Sequence, residues 1–145
     1  MNITKIDYRK TALILPFLED DFSISINRGK IVQIIDNLIS NSEYWLIKLK
    51  GNDPNCKPSI TIKIESPWIY FYDNGYGISP AIENMLFEPF VTTKPKGEGR
   101  GLGLFIIQQL LDSSKCTIAL EPSRNEHGRK YIFAINFSNI INEYK

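Results

Sequence analysis

The segment GKIVQIIDNLISNSEYWLIKLK, residues 29–50, constrains the fold more than any other stretch. Ile31, Ile34, Ile35, Leu38, Trp45, Leu46 and Leu49 recur at three- and four-residue steps. That spacing predicts an amphipathic helix of about six turns. An apolar stripe of this length has to be buried against a second layer, so the rest of the chain must supply that layer.

The remaining patterns supply a sheet. DFSISIN (21–27) alternates apolar and polar residues and predicts a strand before the helix. GNDPNCKP ends the helix, and SITIKIE and WIYFYD follow as neighbouring strands with Pro67 near their join. NGYGISP is a turn, a short helix is expected near Ala81–Leu86, and residues 90–100 lack regular patterning. LGLFIIQQLLDSS predicts a second long helix, and CTIALEP and RKYIFAINF are closing strands. Short loops between adjacent strands favour antiparallel pairing. The expected fold is therefore α+β, a two-layer sandwich with helices over one face of the sheet, and the length of 145 residues suits a single domain, 1–145.

Composition narrows the function. Seventeen basic against sixteen acidic residues leave a formal charge of +1, which gives no footprint for nucleic acid or an anionic membrane. Cys56 and Cys116 form no Cys-x-x-Cys pair and His127 stands alone, so no Cys/His metal spacing exists. No apolar run approaches the roughly 20 residues of a membrane span, and the first ten residues lack a signal-peptide core. A cytoplasmic location is the expectation.

Three local features carry chemistry. Asn37 and Asn41 lie four residues apart on the long helix and project from nearly the same side. An asparagine carbonyl suits a Mg²⁺ ion that takes its other ligands from phosphates and water; two boundary asparagines would look the same. Asp73, in YDNGYGI (72–78), ends a strand, and its carboxylate could accept a hydrogen bond from the exocyclic amine of a base. Gly75 and Gly77 would let the ring lie against the main chain, although Asp-Asn-Gly is equally a turn sequence. In KGEGRGLGLFII (96–107) glycines stand at every second position before a helix. The run lacks the Lys-Ser/Thr of a Walker A loop and the spacing of a dinucleotide fingerprint. A helix start with free N–H groups attracts phosphate, and Thr92, Thr93, Lys94, Lys96 and Arg100 add hydroxyls and cations, so a mobile lid over polyphosphate and a plain solvated loop are the two readings.

The three features in this order resemble the ATP-binding domain of sensor histidine kinases, within the group shared with DNA gyrase B, the ninety-kilodalton heat-shock chaperone and the mismatch-repair ATPase. QIIDNLISNS is similar to the N box, DNGYGI to the G1 box, LFEPFVTTK to the F box and GRGLGLFII to the G2 box. The resemblance covers about residues 22–137. It implies the Bergerat fold with an ATP lid at about 87–101, and ATP and Mg²⁺ as ligands. Asn41 matches the metal-binding asparagine and Asn37 the preceding N-box position. Asp73 matches the adenine-binding acid, with Gly75, Gly77 and Ile78 lining the base. Gly101, Leu102, Gly103 and Leu104 match the phosphate segment, with Gly99 at the lid end. Thr92 and Thr93 belong to the F box, and Phe87 and Phe90 are its lid-anchoring residues. Trp45 falls where an aromatic often meets adenine, although a core tryptophan fits the pattern as well.

The resemblance also marks departures. Asn37 stands where the gyrase, chaperone and mismatch-repair branches carry a water-activating Glu, and an amide cannot act as that base. Asp36 points about 100° away on the helix and is a poor substitute. Phosphoryl transfer to a protein acceptor is thereby favoured over hydrolysis. Tyr44 replaces a Lys or Arg directed at the γ-phosphate, so charge stabilisation falls to Mg²⁺ and the lid cations Lys94 and Arg100. HGRKYIF (127–133) has Arg129 and Lys130 where the family often has Gly-Thr before its last strand. His127, in a late polar loop, is wrongly placed to be an acceptor. The implied partner is a phosphoacceptor histidine on a dimerisation segment, in cis or in trans, with a response regulator downstream. A stand-alone serine kinase of the anti-sigma type and a nucleotide-sensing module without transferase activity stay open.

Overall fold

The computed structural model describes residues 13–18 and 23–141. Strand β1 (Leu13–Leu18) is followed by helix α1 (Arg28–Asn52), strands β2 (Ser59–Glu65) and β3 (Trp68–Asp73), helix α2 (Gly103–Ser113), and strands β4 (Thr117–Leu120) and β5 (Ile132–Asn136). The sheet order is β1-β2-β3-β5-β4. β1 runs parallel to β2, and every other pairing is antiparallel. The fold is α+β, as the patterning predicts.

Helix α1 begins where the Asn27 side chain accepts from the Gly29 N–H at 2.7 Å, occupying one of the donors that a helix start leaves free. It ends where the Asp53 N–H reaches the Leu49 carbonyl at 2.8 Å. Its buried face is Ile31, Ile34, Ile35, Leu38, Ile39 and Leu46, and it packs with Ile107 and Leu111 of α2. The sheet meets them with Ile60, Ile62 and Ile64, Ile69 and Phe71, and Phe133 and Ile135. Each alternate residue of these strands points to the same face, so one row per strand suffices to build the core. Burial of one such side chain contributes about 1.5–3 kcal/mol. On the opposite face Trp68 and Tyr70 stack at 6.2 Å between ring centroids, and Tyr72 meets Tyr131 edge to face.

Two sequence expectations change. The strand expected at Asp21–Asn27 is reduced, among its described residues, to a bridge between Ile24 and Ile141, backed by Ser25 N–H to the Ile140 carbonyl. The sheet position is taken instead by β1, whose sequence LILPFL shows no alternation and carries Pro16. A proline cannot donate to a ladder, and β1 lies at the sheet edge, where only one side needs donors. The short helix expected near Ala81–Leu86 is a run of turns, with Ile82, Met85 and Glu88 N–H groups bonding three residues back. Both cysteines are free thiols, and Cys116 is buried, which pushes its thiol pKa up.

Candidate functional site

Asp73 is the last residue of β3, and α1 passes over that strand end. Ser42, buried on α1, donates its hydroxyl to Asp73 Oδ2 at 2.6 Å, and the Gly75 N–H donates to Oδ1 at 2.8 Å. Burial pushes the Asp73 carboxyl above its ordinary value, and the two hydrogen bonds oppose that shift. An ionised carboxylate has about four acceptor positions, so two remain for a donor entering from the cavity. Ser42 was missed in the sequence, although a signal exists. It sits four residues from both Leu38 and Leu46, a polar residue inside the apolar stripe.

Asp73 lines a cavity of about 350 Å³. Asn41, Trp45, Gly77, Ile78, Thr92 and Thr93 line it too, as do Lys94 and Leu104. Trp45 therefore faces the cavity while touching Tyr44 edge to face at 4.9 Å. Arg129, Tyr131 and Tyr76, which were not expected there, line the cavity as well. They arrive because the β4–β5 loop folds onto the turn after β3. The Ile78 N–H meets the Lys130 carbonyl at 2.8 Å, and Asn125 Nδ2 donates to the Tyr76 carbonyl at 2.9 Å. Gly77 has φ +90°, and a Cβ there would lie 2.7 Å from Asn125 Nδ2 and 2.8 Å from the Arg129 Cβ. Gly75 is buried and lines a neighbouring cavity rather than this one; its contribution here is the N–H on Asp73.

A second cavity of about 220 Å³ shares Asn41, Val91, Thr92, Lys94 and Leu104 with the first. It adds Asn37, Gly99, Arg100, Gly101, Leu102 and Gly103. Its floor is thus the start of α2, whose first N–H groups lack helical partners and favour an anion. Nothing lies within 4 Å of a Cβ built on Gly103, so this helix start opens into the cavity. Asn37 and Asn41 come to the same rim because four residues make about one helical turn. Neither amide makes a hydrogen bond among the described residues.

The loop expected as a lid, residues 87–101, borders this junction. Its two ends are joined by the Phe90 N–H to the Gly101 carbonyl at 2.9 Å. Gly101, at φ +69°, lies so close that a Cβ would stand 2.5 Å from the Phe90 carbonyl carbon. Phe87 packs edge to face on Phe133. Phe90, expected beside it as a second anchor, has φ +66° and is 75% exposed; its backbone, not its ring, closes the lid base. Thr92 Oγ1 accepts from the Lys94 N–H at 3.0 Å, and burial pulls the Lys94 ammonium pKa down. The Tyr44 hydroxyl donates to Glu98 of the lid, and that bond, then burial, pushes its pKa up to about 12. His127 lies away from both cavities on the far loop, with its ring 5.4 Å from that of Tyr76.

Among the described residues no group of three or more His, Cys, Asp or Glu could hold a metal. The site suits only an ion that brings most of its ligands with it. Mg²⁺ bound through phosphates and waters fits, with the uncommitted Asn41 carbonyl as protein ligand. No described helix is long and apolar enough to cross a membrane.

The family described as histidine kinase-, DNA gyrase B- and HSP90-like ATPase matches residues 26–139. The two-component sensor PprA of Pseudomonas aeruginosa is 34% identical over 88 residues, 57% of this chain and 9% of its own length. The alginate biosynthesis sensor protein KinB of Pseudomonas aeruginosa is 27% identical over 135 residues, 90% of this chain and 21% of its own length. The chain thus spans about a fifth or less of these relatives. The solved catalytic domain of histidine kinase ThkA superposes with a TM-score of 0.62 at 23% identity, over 87% of this chain and 80% of that one. The mycobacterial sensor histidine kinase MprB gives 0.63 at 15% identity, over 85% and 77%. These two likenesses concern the fold.

Proposed function

The chain belongs to the histidine kinase-, DNA gyrase B- and HSP90-like ATPase family, as an ATP-binding catalytic domain of the histidine kinase type, and from that premise we propose how its own residues work. It binds ATP with Mg²⁺ and transfers the γ-phosphoryl group to a histidine on a separate dimerisation segment. The observation that carries this reading is Asp73: a carboxylate held by two internal donors, with acceptor positions left over, at one end of a cavity that runs to the start of α2.

In this reading Asp73 accepts from the adenine amine, and Gly77, Ile78 and Trp45 enclose the ring. The N–H groups at Gly101–Leu104 take the phosphates, and Asn41 holds Mg²⁺, which when bound neutralises charge on the phosphate oxygens. Lys94 and Arg100 stabilise charge that develops on the transferred group. The nucleophile is a neutral imidazole nitrogen of the partner. It forms the bond to phosphorus as the bond to the ADP oxygen breaks, and the imidazole proton passes to solvent. Asn37 supplies no base for water, which leaves hydrolysis slow and preserves the γ-phosphate for the acceptor. A response regulator is the next acceptor in such a relay. The location follows as cytoplasmic, where ATP is available.

The test measures calorimetric binding of AMP-PNP with Mg²⁺. Asp73→Asn lowers affinity by roughly 10- to 100-fold while the fold is kept, as loss of a charged hydrogen bond requires. Unchanged affinity in the folded variant removes the adenine role. Acid-labile phosphate on a supplied acceptor supports transfer to histidine, and acid-stable phosphate points to a serine kinase. The neutral pair Asn37 and Tyr44 favours one further reading, a nucleotide-sensing module. Tight binding with no transfer to any supplied acceptor selects it.

A further inference from the structure

The lid carries charges of both signs, and their positions are not equivalent. Lys94, Lys96 and Arg100 are cationic, whereas Glu98 lies between them. A carboxylate free to swing over the second cavity would repel a polyphosphate. Instead Glu98 accepts from the Tyr44 hydroxyl and pairs with Lys48 at 3.7 Å, both on α1. Lys94 Nζ stands 4.5 Å from the centroid of the same Tyr44 ring, within the range of a cation–π contact. Lys94 is itself a lining residue of both cavities, so this seat fixes a side chain that borders their junction. Room for it comes from Gly99, where a Cβ would lie 2.6 Å from the Lys94 Cδ. Gly97, between Lys94 and Glu98 in the chain, has φ +90° and open space around it.

We propose that Tyr44 is a positioning residue: its ring seats Lys94 at the junction of the two cavities and its hydroxyl withdraws Glu98, so the lid presents a cation to the terminal phosphate of a bound nucleotide. The inference rests on the ATP reading above. It gives Tyr44 a purpose that charge alone does not, because Tyr44 carries no cation itself and acts through Lys94. The two halves of the residue do separate work: the ring orients the ammonium and the hydroxyl restrains the carboxylate.

The experiment compares affinities for AMP-PNP and ADP, both with Mg²⁺, on the full chain. The ratio of the two reports contact with the terminal phosphate. Lys94→Met lowers that preference by roughly fivefold, the size of a cation's contribution at a partly exposed site. Tyr44→Leu lowers it by a similar factor, and the double variant loses less than the two single losses combined, because the ring–ammonium contact is common to both. Tyr44→Phe keeps the ring and recovers most of the preference lost in Tyr44→Leu.

Equal weakening of AMP-PNP and ADP in Tyr44→Leu overturns the proposal, since that is the signature of a general structural role. Additive losses overturn it as well, and so does a Tyr44→Phe variant that behaves like Tyr44→Leu. If Tyr44→Leu does not fold, Lys94→Met and Glu98→Gln alter lid side chains alone. Each accelerates amide exchange across residues 94–100 if the seat holds the lid, and no acceleration in either overturns the proposal. Failure of the unaltered chain to bind AMP-PNP refutes the ATP reading instead, and Asp73→Asn beside these variants keeps the two outcomes apart.

Discussion

The two ends of the site are held by different means. The Asp73 end is tied through main-chain groups: Ile78 N–H bonds the Lys130 carbonyl, and the Asn125 side-chain amide bonds the Tyr76 carbonyl and the His127 and Arg129 N–H groups. The lid meets α1 through side chains, namely Tyr44 with Glu98, Lys48 with Glu98, and Lys94 over the Tyr44 ring. Half-exposed contacts of that kind contribute about 1 kcal/mol or less each. The Asp73 end is therefore preorganised, and the lid end can open locally at small cost. On the function proposed above, this suits a domain that holds a base in a fixed pose and admits a phosphoacceptor to the other end of the same nucleotide.

The contrast can be broken most severely through its glycines. Gly77→Ala forces a side chain into a left-handed backbone and into Asn125 and Arg129, so unfolding free energy falls by about 1–3 kcal/mol. Gly97→Ala, also at positive φ but in open space on the lid, costs under about 1 kcal/mol because the lid relaxes around it. Urea melts of the two variants compare the ends directly; equal losses would contradict a rigid base end and a yielding lid.

Ser42→Ala tests the support of Asp73 with a smaller change. Loss of a hydrogen bond to a buried carboxylate destabilises the fold by about 1–2 kcal/mol. It also weakens nucleotide binding at acidic pH more than at neutral pH, because one of the two bonds that hold the Asp73 pKa down is gone.

The smallest effect is the pH dependence of the unaltered chain. Burial raises the Asp73 pKa in the folded state, so the native chain binds its proton more readily than the unfolded one. Between the unfolded value near about 4 and the higher folded value, Asp73 makes stability fall as pH rises. Nucleotide affinity runs the other way, since the ionised carboxylate is the better acceptor, and it falls as pH drops through the folded pKa. Stability and affinity measured against pH, with Asp73→Asn as reference, should cross in that window; parallel trends would remove Asp73 as their common cause.

How much of this was legible depends on the distance over which each feature is decided. The helix α1, the loop boundaries and the rim position of Asn37 and Asn41 follow from spacing within one or two turns, so local pattern sufficed. β1 was not legible, because a strand with Pro16 and no alternation is recognised only by its partner β2, a parallel neighbour brought in across the whole of α1. The Ser42–Asp73 bond joins residues 31 apart, and Arg129 and Tyr131 reach the base cavity only because the β4–β5 loop lies on the turn after β3. Likewise, Tyr44 read alone is a missing cation, and only the folded lid places Lys94 over its ring.

The sequence by itself determined the two long helices, most of the strands and the irregular loop before α2, since hydrophobic period, glycine placement and helix-start chemistry are local properties. Tertiary structure alone decided the edge strand, the donors that hold Asp73, the turning out of Phe90 and the seating of Lys94. Those depend on which distant surfaces meet, and on which side chains must share the space when they do.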